Sequence, residues 1–519
     1  MIRFRQIPVY AWLGAVYPIA SIGAQNPGQV RMAWLALGAL VAAIGATVLI
    51  AGYRLVLRDW SRAALAVLVT MLAFYGYGPI SAAIDGYWLE LSDHGDLIQA
   101  PALGYRIPGL LSAALLATIV AAVAGLFWLS ADVAAKLTRP LNLASLILVA
   151  LPAVQLLASS PWSGQRPAAA ELTQAAADAG QAESPDIYYI VLDGYARDDV
   201  LAEYYGFDNS GFLRQLEELG FSTVAGGHAN YYWTFLSLAS SLNMDYVQRL
   251  LDPLPSRGRD PYEAYESIRD NAVARFLKDH GYRFVQLQSS WGATLTNPYA
   301  DSLVPCSSSL FTNEFFRAIA EATWLRALSA RASADLANCH TTNMESLVNL
   351  VPSEGPKFVF AHFVLPHHPY LFDREGRVLK DSTIANQFDF QAKLWEEKDG
   401  YIEQLMFVND RVASILSEIL ARSSNPPIVL VHSDHGPQLV RNLEESEQRA
   451  VRLANFAAFH APGANGPLIP DGDTPVNYFR RVFNQYFDAG LPLLDNRSFY
   501  SSFYNPYRLE EVTLSRPKQ

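Results

Sequence analysis

The segment Pro427-Ile-Val-Leu-Val-His-Ser-Asp-His-Gly436 sets a carboxylate and an imidazole directly after a short, apolar, β-branched run. Residues 428–432 read as a buried β-strand, punctuated by a proline pair before it and by Gly436 after it. Strand ends are where α/β folds place their chemistry. Asp434 offers a hard oxygen and His435 a borderline nitrogen, a donor pair suited to a divalent metal. The same tripeptide also occurs as an ordinary turn, so its weight depends on what else converges on it.

Three further stretches qualify. Asp193 follows the apolar run Ile187-Tyr-Tyr-Ile-Val-Leu192 and precedes Gly194, which again places an acid at a strand end. Its other reading is a helix cap or turn residue. Thr234, in Asn230-Tyr-Tyr-Trp-Thr-Phe-Leu-Ser-Leu-Ala-Ser-Ser-Leu242, sits where a loop enters a helix. A hydroxyl there meets the positive end of the helix dipole, which favours its alkoxide and an incoming anion. A nearby metal would make it a nucleophile. Otherwise Thr234 is only an N-cap, with Ser237, Ser240 and Ser241 as small packing residues. Finally, His362-Phe-Val-Leu-Pro-His367-His368-Pro-Tyr370 gathers three of the chain's 10 histidines. They would bind a second metal, hydrogen-bond a phosphate, or simply form a polar loop. His362 lies inside the apolar run and reads equally as a buried, satisfied histidine, as does His432. His460, after a further apolar run, is a lesser candidate.

The elements that hold these residues alternate from residue 186 onward. Strand patterns at 187–192, 282–287, 357–364, 428–432 and 455–460 are interleaved with helical patterns at 210–219, 262–280 and 400–422. This alternation predicts a doubly wound α/β domain with a mostly parallel central sheet and helices on both faces. No internal repeat is visible.

Before residue 160 the chain changes character. Of 519 residues, 51% are hydrophobic and 17% charged, and the apolar excess is concentrated there. Five stretches fit spanning helices, at about 7–23, 33–53, 63–83, 107–129 and 141–158, against a need for about 20 apolar residues per span. The first is short, holds Pro18, and also resembles a signal-peptide core with Ser21-Ile-Gly-Ala24 as a poor cleavage site. Arg3 and Arg5, then Arg54, Arg58 and Arg62, then Lys136 and Arg139 mark cytoplasmic ends. The loop at 84–106 carries Asp85, Glu90, Asp93 and Asp96 and faces outward. The expected organisation is a transmembrane domain at 1–160, a linker at 161–185 with a surface helix at 168–182, and an extracytoplasmic catalytic domain at 186–519. Such a topology suits a bacterial inner membrane. A net charge of −11 with no basic stripe excludes a nucleic-acid binder.

Both cysteines, Cys306 and Cys339, fall in the outer domain, and an oxidising compartment favours a disulfide that ties down residues 303–342. The alternative is a pair of buried thiols. A metal role is disfavoured, since no Cys-x-x-Cys spacing exists. The aromatic stretch at 498–507 reads as a packed strand and loop, although such rings also stack on glycans or sit at a membrane surface.

Taken together, these stretches resemble the alkaline phosphatase/sulfatase superfamily. The chain is more closely similar to the membrane-anchored branch of lipoteichoic acid synthases, lipid A phosphoethanolamine transferases and osmoregulated-glucan phosphoglycerol transferases. The order acid, Thr, His-x-Pro, Asp-His-Gly is present as Asp193, Thr234, His367-His-Pro369 and Asp434-His-Gly436. The resemblance implies one zinc or manganese ion on Asp193, Thr234, Asp434 and His435. It leaves room for a second metal near His362, His367 and His368. It implies Thr234 as nucleophile and His367 as a substrate-holding residue, with His368, His362 and His460 as further candidates. The implied reaction moves a phospho-alcohol headgroup, phosphoglycerol or phosphoethanolamine, from a phospholipid donor to an extracytoplasmic glycan or lipid acceptor. A phospho-threonine intermediate and ping-pong kinetics follow. Water as acceptor would give a phosphodiesterase or phosphatase with the same residues, and loss of catalysis would leave a binding or assembly protein.

The chain also departs from the pattern. Thr234-Phe-Leu-Ser-Leu replaces the sulfatase signature Cys-x-Pro-x-Arg, which argues against sulfate-ester hydrolysis. Asp193 is followed by Gly194 rather than by a second acid. No histidine soon follows Asp434-His-Gly436, so Arg441, Arg449 or His460 would have to substitute.

Overall fold

The structure is a computed structural model that describes residues 7–25, 30, 32–93, 107–158, 184–251, 254, 261–306, 313–321, 323–325, 329–353, 355–379, 398–437, 443–502 and 505–513. The surface helix expected at 168–182, much of the acidic loop and Arg441 lie outside the described residues. The chain forms two compact units, one of Met1–Gly164 with Phe315–Ser329, the other of Gln165–Glu314 with Ala330–Gln519.

The first unit is helical: α1 (Tyr10–Gln25), α2 (Met32–Leu57), α3 (Trp60–Asp93), α4 (Ile107–Trp128) and α5 (Ala131–Ala158). Among the described residues, four helices are long and apolar enough to cross a membrane, namely α2, α3, α4 and α5. The expected fifth, α1, has only 16 residues. At about 1.5 Å per residue it rises about 24 Å, short of the roughly 30 Å hydrocarbon core. Its first turn is capped from α5, where Asn142 Oδ1 accepts from Tyr10 N at 2.9 Å and Asn142 Nδ2 donates to Ile7 O at 2.9 Å. Leu40, Val48, Leu116, Val120, Leu146 and Leu151 are each more than half exposed. Contiguous aliphatic surface of this kind suits lipid rather than water.

The second unit continues as β1 (Ile187–Leu192), α6 (Ser210–Glu218), β2 (Ser222–Thr223), α7 (Thr234–Asn243), α8 (Tyr262–Arg269), α9 (Ala272–Asp279), β3 (Arg283–Leu287) and β4 (Ser302–Val304). After α10 (Glu314–Glu321) come α11 (Ser329–Asn349), β5 (Lys357–Phe363), α12 (Lys398–Arg422), β6 (Ile428–His432), α13 (Glu445–Leu453), β7 (Ala457–His460) and α14 (Pro475–Phe487). The chain closes with the hairpin β8 (Ser498–Ser502) and β9 (Asn505–Val512). The seven-stranded sheet has the order β2-β7-β6-β1-β5-β3-β4. It is mixed, since β7 runs antiparallel to both β6 and β2 while the other pairs are parallel.

Strand alternation splits β1 between two cores. Ile187, Tyr189 and Val191 pack with Leu236 and Leu238 of α7, Ile268 of α8, Val273 of α9 and Phe479 of α14. Tyr188, Ile190 and Leu192 pack with Leu216 of α6, Leu347 of α11 and Leu405 of α12. Burial on both faces is why the central strands are uninterrupted apolar runs. Register then decides the site. Val191 lies opposite both His362 on β5 and His432 on β6, so three parallel strands end level. The residues just beyond them emerge together, and alternation turns Asp193 toward the α7 layer.

Candidate active site

Thr234 is placed by a loop that is fastened on several sides. Asn230 Nδ2 donates to Arg497 O at 2.8 Å, its Oδ1 accepts from Val476 N at 2.9 Å, and Trp233 Nε1 donates to Ser501 O at 3.0 Å. Trp233, with φ −118° and ψ 136°, is the N-cap of α7, so Thr234 is the first helical residue. Its hydroxyl makes no cap and instead lies 3.0 Å from His435 Nε2. Ser237 serves packing, donating to Tyr231 O at 2.9 Å.

Asp193, Asp434 and His435 are buried, and one ligand atom from each lies within 4.8 Å of the others. His435 Nε2 is 3.2 Å from Asp434 Oδ2 and 3.7 Å from Asp193 Oδ1. The other imidazole nitrogen, Nδ1, sits 2.9 Å from Gly436 O and donates to it, which leaves Nε2 as an acceptor. Asp434 Oδ1 accepts from Gly194 N at 3.1 Å and from His435 N at 3.0 Å. Gly194 has φ +71°, a turn that glycine adopts without strain.

The remaining carboxylate oxygens are the telling ones. Asp193 Oδ1 and Asp434 Oδ2 are buried with no hydrogen-bond partner among the described residues. Buried orphan oxygens on acids are costly unless a cation serves them. Burial pushes the Asp434 carboxyl well above its usual range, and the charge of Asp193 adds to that. Burial also opposes charge on Asp193, yet His367, a hydrogen bond from His362 and His435 outweigh it and hold the carboxylate low. Burial, then Arg452, depresses His435 and keeps its imidazole neutral. Two carboxylates, a neutral imidazole and a threonine hydroxyl form a donor set that fits zinc or manganese.

The histidines expected to hold substrate separate into distinct positions. His367 joins the rim: its backbone N donates to Asp193 O at 3.1 Å, and its Nδ1 donates to His368 O at 2.6 Å. His368 is buried, edge-on to Tyr370 with centroids 5.6 Å apart. His362 lies behind the acid, with Nε2 3.6 Å from Asp193 Oδ2 and Nδ1 3.1 Å from Thr294 Oγ1. Thr294 is in turn 2.5 Å from Ser289 Oγ, so a hydrogen-bonded chain fixes His362 beside the carboxylate. His460 is not brought to the cluster. Its Nδ1 donates to Pro427 O at 2.8 Å, and it pairs with Val429, near the start of β6. Because β7 is antiparallel, its C-terminus returns to the sheet edge opposite the site. His432 is a core residue, 2.7 Å from the Tyr189 hydroxyl.

Sequence reasoning missed Arg452. It is 2% exposed, with Nη2 2.9 Å from His435 Nε2, and it donates to Gly436 O at 3.2 Å and Tyr232 O at 3.3 Å. Tyr232 and Trp233 flank the guanidinium with ring centroids at 5.4 and 5.9 Å. Gly436 makes this approach possible. A Cβ there would stand 2.4 Å from Val451 O and 2.6 Å from Ala454 O, so only glycine lets the end of α13 close on the loop. The available signal was an arginine inside the apolar triplet Val451-Arg452-Leu453. Arg449, one of the residues considered instead, stacks on Tyr500 at 3.7 Å and pairs with Glu445 at 2.6 Å.

No protein-family profile and no curated protein matches the chain. Solved structures do. The chain is similar to the C-terminal periplasmic domain of EcEptC from Escherichia coli in complex with Zn (13% identity, TM-score 0.43, 64% of this chain and 94% of that one). It is similar to the C-terminal periplasmic domain of the phosphoethanolamine transferase EptC from Campylobacter jejuni (13%, 0.38, 59% and 90%). A protein in the alkaline phosphatase superfamily from Vibrio parahaemolyticus also aligns (13%, 0.39, 62% and 74%). At these values the likeness is too loose to bear on the site.

Proposed function

We propose that the protein is a membrane-bound, metal-dependent phosphoryl-transfer enzyme that moves a phospho-alcohol headgroup from a phospholipid to an extracytoplasmic glycan or lipid. The observation that carries this reading is Thr234 Oγ1, at a helix N-terminus and 3.0 Å from His435 Nε2, beside two buried carboxylate oxygens that lack partners. A divalent ion held by Asp193, Asp434, His435 and Thr234 would supply Lewis acidity, lowering the hydroxyl's pKa and drawing charge from a phosphoryl oxygen. Thr234 Oγ1 attacks phosphorus in line, its bond to phosphorus forms, and the bond from phosphorus to the lipid alcohol breaks, the hydroxyl's proton ending on the departing lipid oxygen. The N-terminus of α7 favours the anionic group. Arg452 supports the same charge from the other side. Its Nη2 stands 2.9 Å from His435 Nε2, so the guanidinium would add positive charge beside the reacting group. An acceptor hydroxyl then attacks the phospho-threonine and releases Thr234. His362 keeps Asp193 aimed, and His367 stands where substrate enters.

The basic residues Arg54, Arg58 and Arg62 between α2 and α3, and Lys136 and Arg139 in the first part of α5, would put this domain outside the cytoplasm whether or not α1 spans, and there a lipid donor would reach it along the bilayer. The test is metal content and intact mass of wild type and Thr234→Ala after incubation with mixed bacterial phospholipids. About one metal per chain and a mass adduct that Thr234→Ala abolishes are expected. The adduct's mass identifies the headgroup. Neither metal nor adduct in either protein overturns the enzymatic reading.

A further inference from the structure

The helical unit contains a piece of chain from far along the sequence. Cys306 and Cys339 form a disulfide, and between them α10 carries Phe315–Ser329 into the helical unit. Phe315 clusters with Ile19 of α1 and Leu35 of α2, with Trp34, Phe316 and Ile319 packed on them. Trp324 stacks on Tyr77 of α3 with centroids 6.2 Å apart, and its Nε1 donates to Ser112 Oγ of α4 at 3.0 Å.

This insertion closes a cavity of about 270 Å³ against Tyr17, Pro18, Ser21 and Ile22 of α1 and Tyr75 of α3, with Ile319 and Thr323 as its own contribution. Three of the hydroxyls that line it are engaged elsewhere, and the lining surface is almost wholly apolar. Tyr75 donates to Ala15 O at 2.9 Å, Thr323 donates to Ala320 O at 3.2 Å, and Ser21 Oγ accepts from Gln25 Nε2 at 2.9 Å. The wall therefore presents hydrocarbon, and water, which needs two to four polar partners, is poorly held. An apolar cavity of roughly 150 Å³ already takes up benzene, and this one is nearly twice that size. Its walls belong to a bundle whose outer helices expose aliphatic side chains, so the hydrocarbon at hand is an acyl chain.

We infer that this cavity is a binding site for one acyl chain of a membrane glycerophospholipid. The inference rests on the membrane reading of the helical unit and holds whether that lipid is turned over or retained.

The experiment uses full-length protein in nanodiscs containing phosphatidylglycerol with a diazirine in one acyl chain. After illumination, labelled peptides are mapped by mass. Label is expected to concentrate at residues 17–22 and 319–323. Ile319→Trp, which fills the cavity, should reduce it there roughly tenfold. Label on the exposed face of α5 should not change. Thr323→Leu, a smaller filling change with its own melting curve, guards against misfolding. Label spread evenly over the lipid-facing helices, or unchanged by Ile319→Trp in folded protein, overturns the site. Turnover of bis-p-nitrophenyl phosphate in the same samples reads the Thr234 centre separately. Its absence in wild type would count against the proposed function and leave the lipid site standing.

Discussion

Replacing Asp434 by asparagine should make the metal-free protein more stable and the metal-loaded protein comparatively less stable than wild type. Ligand atoms of Asp193 and Asp434 lie within 4.8 Å of each other, both buried. Coulomb's law at an effective dielectric of about 20 gives about 3.5 kcal/mol of repulsion between unit charges at that distance. Because Asp434 already retains proton character, asparagine relieves only part of this. The amide keeps the rest of the geometry. Its Oδ1 still accepts from Gly194 N and His435 N, and its Nδ2 takes the place of the orphan oxygen. In EDTA at neutral pH, the outer domain of Asp434→Asn should therefore unfold at higher denaturant than wild type. Zinc at about 100 times its Kd adds about 2.7 kcal/mol to wild type and little to the variant, so the order inverts. Tryptophan fluorescence during urea unfolding, with EDTA and with zinc, reads both states. A variant that is less stable in EDTA, or equally stabilised by zinc, would refute the placement of a cation between these acids.

Arg452→Met should lower kcat by about 10²–10³, as loss of a positioned charge at a reacting group does. Arg452→Lys should not restore it, since one ammonium cannot reach His435 Nε2, Gly436 O and Tyr232 O together; steady-state kinetics on a small phosphodiester decides. Gly436→Ala forces a Cβ to 2.4 Å from Val451 O and should cost about 1–3 kcal/mol by denaturant titration, with activity falling as Arg452 is displaced. Cys306→Ser with Cys339→Ser opens a loop of sequence separation 33, worth about 3–4 kcal/mol in chain entropy. Dithiothreitol should lower the melting temperature of wild type to that of the double variant and leave the variant unmoved.

Asp193, Thr234, Asp434 and His435 were legible in the sequence because each marks the end of a strand or the start of a helix. Such ends are written locally, in a β-branched run cut by Gly194 or Gly436, or in a loop that turns into an apolar helix. The long apolar helices were legible for the same reason, since length and hydropathy are properties of one segment, although α1 at 16 residues falls short of the other four. The pairing of Cys306 with Cys339 followed from their number and their place in the chain.

What tertiary structure decided has a common physical cause: it depends on which segments lie beside which. His362 and His460 look alike in sequence, each near the end of an apolar run. Parallel register beside β1 puts His362 behind Asp193, whereas antiparallel pairing on β6 carries His460 to the far edge of the sheet. Arg452 gives no local sign of chemistry, because it reaches His435 only where a glycine lets two stretches of backbone touch. The short amphipathic helix Glu314–Glu321 reads as any surface helix until Phe315 is seen against Ile19 and Leu35. Residue type and spacing determined the donors of the candidate site, while strand direction, register and backbone approach determined which donors meet, because local propensity acts within a segment and packing acts between segments.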